Sequence, residues 1–472
     1  MTRLTILHTN DLHGRALQLA RIATLAKEIR AEAEATQGYC VLWDAGDAED
    51  TILLESSMTK GSAVMAMLRS AGYDQAALGN ATPLRYGPQA VQGLAEGLKQ
   101  PLLCANMIDP DTGHLVAGLA PYMIQTFGQV KVGIIGLTAP MSIYSVFKLV
   151  LADPLAVLPD LIAQVRSLGA QTVMLLSHLG SAVDQQLAQQ IAGLDVIIGG
   201  HDHAALNPPL VVNDTIVAQA GDYGRFLGRL DLEIDSTTGR IVHHHGELIP
   251  VSEDAPLDPD TQMTIETERD RVQQMMQRVI GELRAPLDWA EDQQCAAGNL
   301  LADVLFDWVK GAQVALALAG HWTTGLPAGP VTVSALYASM RSTANPARVE
   351  LSGEQIVQFL REALKPENAA RKPRPLRGVA IGMPHIAGMH VRYDPESFDL
   401  LEVRIGDEPL QLHHKYVVAA TDLELYYDFI NYLVIPQEQI ELEVPTIVPE
   451  VLEEYLTKHS PLSAPTVDRI TT

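Results

Sequence analysis

Asp11 and His13, Asp47, Asn80, His178, and then His201 and His203 are the residues of this chain whose types and spacing can do chemistry. Aspartate and amide oxygens mixed with imidazoles form a donor set for Mn, Zn, Fe, Co or Ni. Seven such donors can hold two divalent ions. Asp11 and His13 are one residue apart, so at the end of a strand both can reach one ion. Asp47 sits in DAGD, where Gly46 permits the tight turn that aims a carboxylate into a crevice, and its two oxygens suit it to bridging. Asn80 offers a neutral oxygen to an ion and an N–H to a substrate. His201 and His203 follow a double glycine. Asp44, the other aspartate of DAGD, reads as a hydrogen-bonded turn residue.

Each donor follows a short apolar run: LTIL before Asp11, YCVLW before Asp47, AAL before Asn80, VMLL before His178 and DVII before His201. These runs read as buried strands. Donors at the carboxyl ends of successive parallel strands converge on one crevice of an open α/β sheet, which scattered surface histidines would not do. Between the runs lie segments of helical period, such as ARIATLAKEIRAEAEA (20–35) and PDLIAQVRSL (159–168). That alternation predicts βαβ units and a largely parallel sheet over residues 1–250. A strand at 227–235 and the acidic, Pro-rich VSEDAPLDPD (251–260) come next, then a polar helix from about Gln262 to Leu283; residues 251–289 read as linker and connecting helix. A second unit over 290–472 carries the helices NLLADVLFDWVK and GEQIVQFLREALK and the strands QVALALA, MHVRYD and KYVVAATD. His243, His244 and His245 read as a solvated loop.

The chain has 472 residues, 47% of them hydrophobic, as expected of a well-cored globular protein. A formal charge of −24 argues against non-specific nucleic-acid binding and against docking on anionic lipid, both of which need a positive field. An anionic substrate would need local cations, which bound metal would supply. The three cysteines, Cys40, Cys104 and Cys295, imply no disulfide framework. With the first core strand starting near Leu4 and no long apolar run, the sequence reads as cytoplasmic. No protein partner is predicted.

The run ILHTNDLHGR, then DAGD, GYDQAALGN, CANM, KVGIIGLTAP, LLSHLG, GGHDHA and IVAQAGDYGRFLGRLDLE resembles, in order and spacing, the N-terminal half of the 5′-nucleotidase family of calcineurin-like metallophosphoesterases. Residues from AAGNLLADVLFDWVKGAQVALALAG to PEVLEEYL are similar to that family's C-terminal substrate domain. The resemblance implies a four-layer α/β/β/α metallophosphoesterase domain and a smaller α+β domain. It implies that Asp11, His13 and His203 bind one ion, that Asn80, His178 and His201 bind the other, and that Asp47 bridges them. It further implies hydrolysis of phosphate monoesters and anhydrides of nucleotides, hence a small anionic phosphorylated substrate.

The chain departs from the family at two places. Where the family reads Gly-Asn-His-Glu-Phe-Asp, Ala81 and Leu84 replace the histidine and aspartate that assist the leaving group. A missing general acid costs about 10²–10⁴ in rate unless the leaving group departs without a proton. The nucleoside clamp is also replaced: His321 and Trp322 stand in the loop that in the family ends in a phosphate-binding arginine, and Arg341 and Ser342 stand where a stacking ring is expected. His321, as a substitute acid, Trp322, as a stacking surface, and Arg341, as a cation, are candidate substrate-binding residues beside Asn80. Arg85 and Tyr86, close after the lost pair, read as a turn and a surface cation. Two classes of function follow: a two-metal hydrolase of altered substrate range, including esters of other kinds such as sulfur-containing ones, or a catalytically impaired descendant serving as a metal-containing binding protein. Retention of all seven donors favours the hydrolase, because clustered carboxylates and imidazoles are costly without ions.

Overall fold

The computed structural model describes residues 1–340, 342–376 and 379–472, the side chains of Pro375 and Tyr427 excepted. These fall into two compact units, Met1–Val272 and Gln273–Thr472.

The first unit is a sandwich of two sheets. Its strands in chain order are β1 (Thr2–Thr9), β2 (Tyr39–Asp44), β3 (Gln75–Ala76), β4 (Tyr122–Phe127), β5 (Val130–Thr138), β6 (Thr172–His178), β7 (Val196–Ile198), β8 (Leu210–Val212), β9 (Thr215–Ala218), β10 (Phe226–Ile234) and β11 (Ile241–Pro250). One sheet has the order β11-β10-β1-β2-β3, the other β8-β9-β7-β6-β5-β4. The strands that carry the candidate donors pair in parallel, β1 with β2 and β2 with β3, and β5, β6, β7 and β9 in turn. Antiparallel strands flank both sets.

Alternation along each strand builds the layers. Leu4, Ile6, Val41 and Trp43 meet Ile134, Met174, Leu176 and Ile198 between the sheets. On the outer faces, Leu7 and Leu42 pack with Leu19, Ile22 and Ala23 of the helix Ala16–Ala35, while Ile135, Leu137, Val173 and Leu175 pack with Leu158 and Val165 of the helix Pro154–Ser167. This is the four-layer α/β/β/α arrangement. Burial of each such Leu or Ile contributes about 1.5–3 kcal/mol, which fixes strand register and with it the places where the strands end.

The second unit is α+β. A sheet ordered 384–387, 314–318, 415–421, 346–352 and 441–442 packs with the helices Ala296–Trp308 and Gly353–Ala363, and a second sheet centres on Met389–Tyr393 and Leu400–Ile405. A described helix long and apolar enough to cross a membrane is absent.

Two elements differ from the sequence reading. The polar helix spans Pro259–Gln277 and stops short of Leu283, because Val279–Leu283 is a strand paired with Gly329–Thr332. β-Branched Val279 and Ile280 favour that pairing, and a side chain at Gly281 would press on the Leu456 carbonyl. The histidine run is no loop: His243, His244 and His245 lie within β11, opposite Glu233, Leu232 and Asp231 of β10. As the edge strand of its sheet, β11 leaves all three imidazoles exposed, so polarity masked the strand.

Candidate metal centre

All seven candidate donors of the first unit lie at or just beyond the carboxyl ends of β1, β2, β3, β6 and β7. The loops carrying them are laced together by the backbone: Ala45 N–H donates to Thr9 O (2.8 Å), Asp11 N–H to Gly46 O (2.9 Å), His13 N–H to Asp47 O (3.0 Å) and Gly14 N–H to Ala48 O (2.8 Å). The lacing imposes unusual backbone. Asp11 (φ 50°), His13 (46°), Asp47 (54°), His201 (86°) and His203 (60°) all occupy the left-handed region. Each such residue costs of order 1 kcal/mol or more, and strain of this kind concentrates at functional sites. Two glycines make the approach possible: a Cβ at Gly46 would strike the His178 ring, and one at Gly79 would overlap the Asp47 carboxylate.

Side-chain hydrogen bonds orient the donors. His178 Nδ1 meets Ala45 O at 2.8 Å, so that nitrogen donates and Nε2 is the one turned toward the crevice. His203 Nδ1 is likewise held by Asp222 Oδ2 (3.1 Å), and Asp222 is in turn gripped by Arg225. Asp11 Oδ2 takes bonds from Asn10 Nδ2 (2.7 Å) and His201 N–H (2.9 Å), which leaves Oδ1 free. Asp47 Oδ1 accepts from Ala81 N–H (2.8 Å), which leaves Oδ2 facing His178 Nε2 at 3.3 Å.

The atoms left over converge. His13 Nε2 and His203 Nε2 are 3.3 Å apart, and Asp11 Oδ1 lies 3.7 and 3.5 Å from them and 4.0 Å from His178 Nε2. Two donor groups result, Asp11–His13–His203 and Asp11–Asp47–His178, each compact enough for one cation. Asp11 Oδ1 and Asn80 Oδ1 are buried without a hydrogen-bond partner, and His178 Nε2 faces only Asp47 Oδ2. An unpaired buried polar atom costs about 1–3 kcal/mol, and two in one crevice beside an imidazole are the pattern expected of a cation site. The donor set fits divalent metal. The His201 ring packs edge-on against His178 with centroids 5.2 Å apart.

Electrostatics agree with the geometry. Burial opposes charge on Asp47, but His178 outweighs it and holds the carboxyl at about 2. Burial likewise opposes charge on His178, and Asp47 with Asp11 raises it to about 9. The carboxylates thus retain protons on the imidazole, which a metal ion would displace. Asp44 has the structural role read for it: Thr9 Oγ1 and Gly46 N–H donate to it at 2.7 and 3.0 Å, and burial pushes its pKa up to about 8.

A cavity of about 240 Å³ adjoins the cluster, with His13, Asp47 and Asn80 on its wall beside Glu49, Arg85 and Tyr86. Arg85 and Tyr86 are therefore not merely a turn and a surface cation: the helix Ala81–Tyr86 starts at Asn80 and carries both to this wall. Glu49, Asn10 and Asp222 were not singled out in the sequence. Asn10 and Asp222 lie inside HTNDLHGR and AGDYG, where adjacency to donors was the available signal.

In the second unit the substitute residues are interior. His321 is fully buried, its Nδ1 2.7 Å from Ser342 Oγ and its Nε2 2.8 Å from Glu424 Oε1. Glu424 also accepts from the Leu318 and Thr421 N–H groups. Both ring nitrogens of His321 are thereby committed to holding the loop, which corrects the expectation of an available acid. Trp322 is also fully buried and presents no face for stacking. Arg341 lies outside the described residues.

Residues 279–427 match the family model for the 5′-nucleotidase C-terminal domain. An uncharacterized metallophosphoesterase of Bacillus subtilis, YunD, is 25% identical over 430 residues, covering 89% of this chain and 92% of the relative. Bovine 5′-nucleotidase is 30% identical over 353 residues, covering 64% of this chain and 60% of its own, so the chain matches somewhat over half the length of that relative. Among solved structures, a 5′-nucleotidase precursor from Thermus thermophilus superposes over 99% of both chains with a TM-score of 0.51 at 23% identity, a likeness of fold. With the four-layer sandwich and its strand-end donors, these matches lead to one conclusion: the chain is similar in sequence and fold to 5′-nucleotidases and metallophosphoesterases, and residues 279–427 match the 5′-nucleotidase C-terminal domain.

Proposed function

We propose that the chain is a dinuclear-metal hydrolase of small phosphate esters or anhydrides, with a substrate range shifted away from ordinary nucleotides. The observation that carries this reading is the convergence of His13, His203 and His178 Nε2 with Asp11 Oδ1 and Asp47 Oδ2, four of these residues oriented by a hydrogen bond behind them and His13 by Asp50 Oδ2, 3.4 Å from its Nδ1. Asp11, His13 and His203 would hold one ion; Asn80, His178 and His201 the other; Asp47 would serve both. Bound there, divalent ions supply Lewis-acid charge to a phosphoryl group and lower the pKa of a water. The chain's own contribution is positional. Ala45 O and Asp222 keep two imidazoles in the tautomer that leaves Nε2 open, and Ala81 N–H keeps Asp47 turned toward His178.

Ala81 leaves no imidazole to protonate a departing oxygen, so leaving groups of low pKa should react best. Burial of His321 and Trp322 supports the shift away from nucleosides, since stacking would otherwise add roughly 1–3 kcal/mol per base. The same two losses are what favour a second reading, a metal-containing binding protein without turnover. Purified protein loaded with Mn, Zn or Co and assayed on an activated aryl phosphate, an aryl phosphodiester and AMP separates the two. Turnover of an aryl ester well above that of AMP is expected; full metal occupancy with no turnover of any of the three would overturn the hydrolase reading in favour of the binding protein.

A further inference from the structure

The wall of the cavity beside the metal centre bears three acids, Asp47, Glu49 and Asp50, and one Lys or Arg among its described residues, Arg85. In a chain with 57 acidic and 33 basic side chains, a guanidinium ordinarily finds a carboxylate. Arg30, Arg225 and Arg229 pair with Asp74, Asp222 and Asp231. Arg85, among the described residues, has no hydrogen bond or ion pair. The backbone that carries it is nonetheless held in place. The helix Ala81–Tyr86 is pinned at its start by Ala81 N–H on Asp47 and by Leu84 N–H on Asn80 O (3.1 Å), and Leu84 packs on the hydrophobic core. Asn80, a candidate metal donor, and Arg85 therefore move as one piece.

A cation carried beside a crevice suited to two dications stands where an anion lying between them would be favoured. A guanidinium offers parallel N–H donors that match two oxygens of a phosphoryl group. At about 240 Å³, below the roughly 300–1,000 Å³ of pockets that enclose drug-sized ligands, the cavity suits a phosphoryl group with a small leaving group.

We propose that Arg85 is the phosphate-gripping residue of this chain, binding two oxygens of a small phosphate monoester, or of inorganic phosphate as product, while the remaining oxygens face the metal-binding side chains. This rests on the hydrolase reading above and adds to it a residue that the sequence pattern of the family does not supply.

The test uses the full chain loaded with Mn, as wild type, Arg85→Met and Arg85→Lys. Metal content is measured by elemental analysis and inorganic phosphate affinity by isothermal titration calorimetry. Because Arg85 is exposed, both variants should fold and carry the wild-type metal load. Arg85→Met is expected to weaken phosphate binding about 10- to 100-fold, with Arg85→Lys between, and the difference should shrink as salt screens an exposed cation. On an aryl phosphate KM should rise more than kcat falls. Phosphate affinity of Arg85→Met within twofold of wild type at equal metal content would overturn the proposal and leave the metal reading intact. Wild-type protein that takes up no metal would overturn that reading first, and the role of Arg85 with it.

Discussion

Replacing Asp47 by Asn removes one charge while keeping the shape of the side chain and an oxygen for the Ala81 N–H. In metal-free protein the effect follows from linkage. The carboxyl is held at about 2 against 3.8 in the unfolded chain, so ionised Asp47 contributes about 2 kcal/mol. That stability is fully present above pH 3.8 and lost as pH falls through 2; at pH 7 the metal-free variant should be about 2 kcal/mol less stable than wild type. With metal present the gap should widen. Ions at a thousandfold excess over Kd stabilise the native state by about 4 kcal/mol each, and the variant lacks the group that would serve both. Urea denaturation at pH 7 with chelator and with Mn, together with elemental analysis after desalting, measures both parts. A variant that keeps two tightly held ions per chain, or whose metal-dependent stabilisation equals that of wild type, would refute the assignment of Asp47.

Ala81→His alone should raise turnover of an unactivated phosphate ester less than about tenfold, because its partner position is Leu84, packed on the core; a gain of 10² or more, read by steady-state kinetics, would show that the imidazole needs no carboxylate. Trp322→Ala should cost about 3–5 kcal/mol by denaturant unfolding, as expected for a fully buried indole, with KM for an aryl phosphate unchanged; a KM effect without loss of stability would restore a stacking role. His385, buried in the second unit, is depressed to about 4 by burial against 6.5 unfolded, so the unfolded chain binds the extra proton between these values and stability falls as pH drops from 6.5 to 4. By about 1.4 kcal/mol per unit this reaches roughly 3 kcal/mol, and the stability advantage of wild type over His385→Gln should shrink by that amount across the window in urea titrations at each pH.

Much of the first unit was legible because its strands are buried on both faces. LTIL, VMLL and DVII are short apolar runs that fit central strands, and parallel pairing then places the donors after them at strand carboxyl ends, Asp11 in one sheet and His178 and His201 in the other. What could not be read from the sequence depends on partners distant in it. That His178 presents Nε2 and not Nδ1 is decided by the carbonyl of Ala45, 133 positions away. That His321 is a loop tie and not an acid is decided by Ser342 and Glu424, which no local pattern joins to it. Polar character misled at β11, where an exposed edge strand carries three consecutive histidines, and β-branched Val279 and Ile280 ended a helix that period alone would have continued. Arg85 shows the converse: as one residue after a proline-containing turn it signals nothing, and only the short helix started at Asn80 gives it a place beside the donors.

The most direct measurement is anomalous diffraction at the Mn edge from crystals of wild-type protein reloaded with Mn. Two peaks about 3.5–4 Å apart are expected, one against Asp11, His13 and His203, the other against Asn80, His178 and His201, with Asp47 between them. A crevice without anomalous density in fully reloaded protein, or a single ion bound away from Asp47, would contradict a two-metal centre.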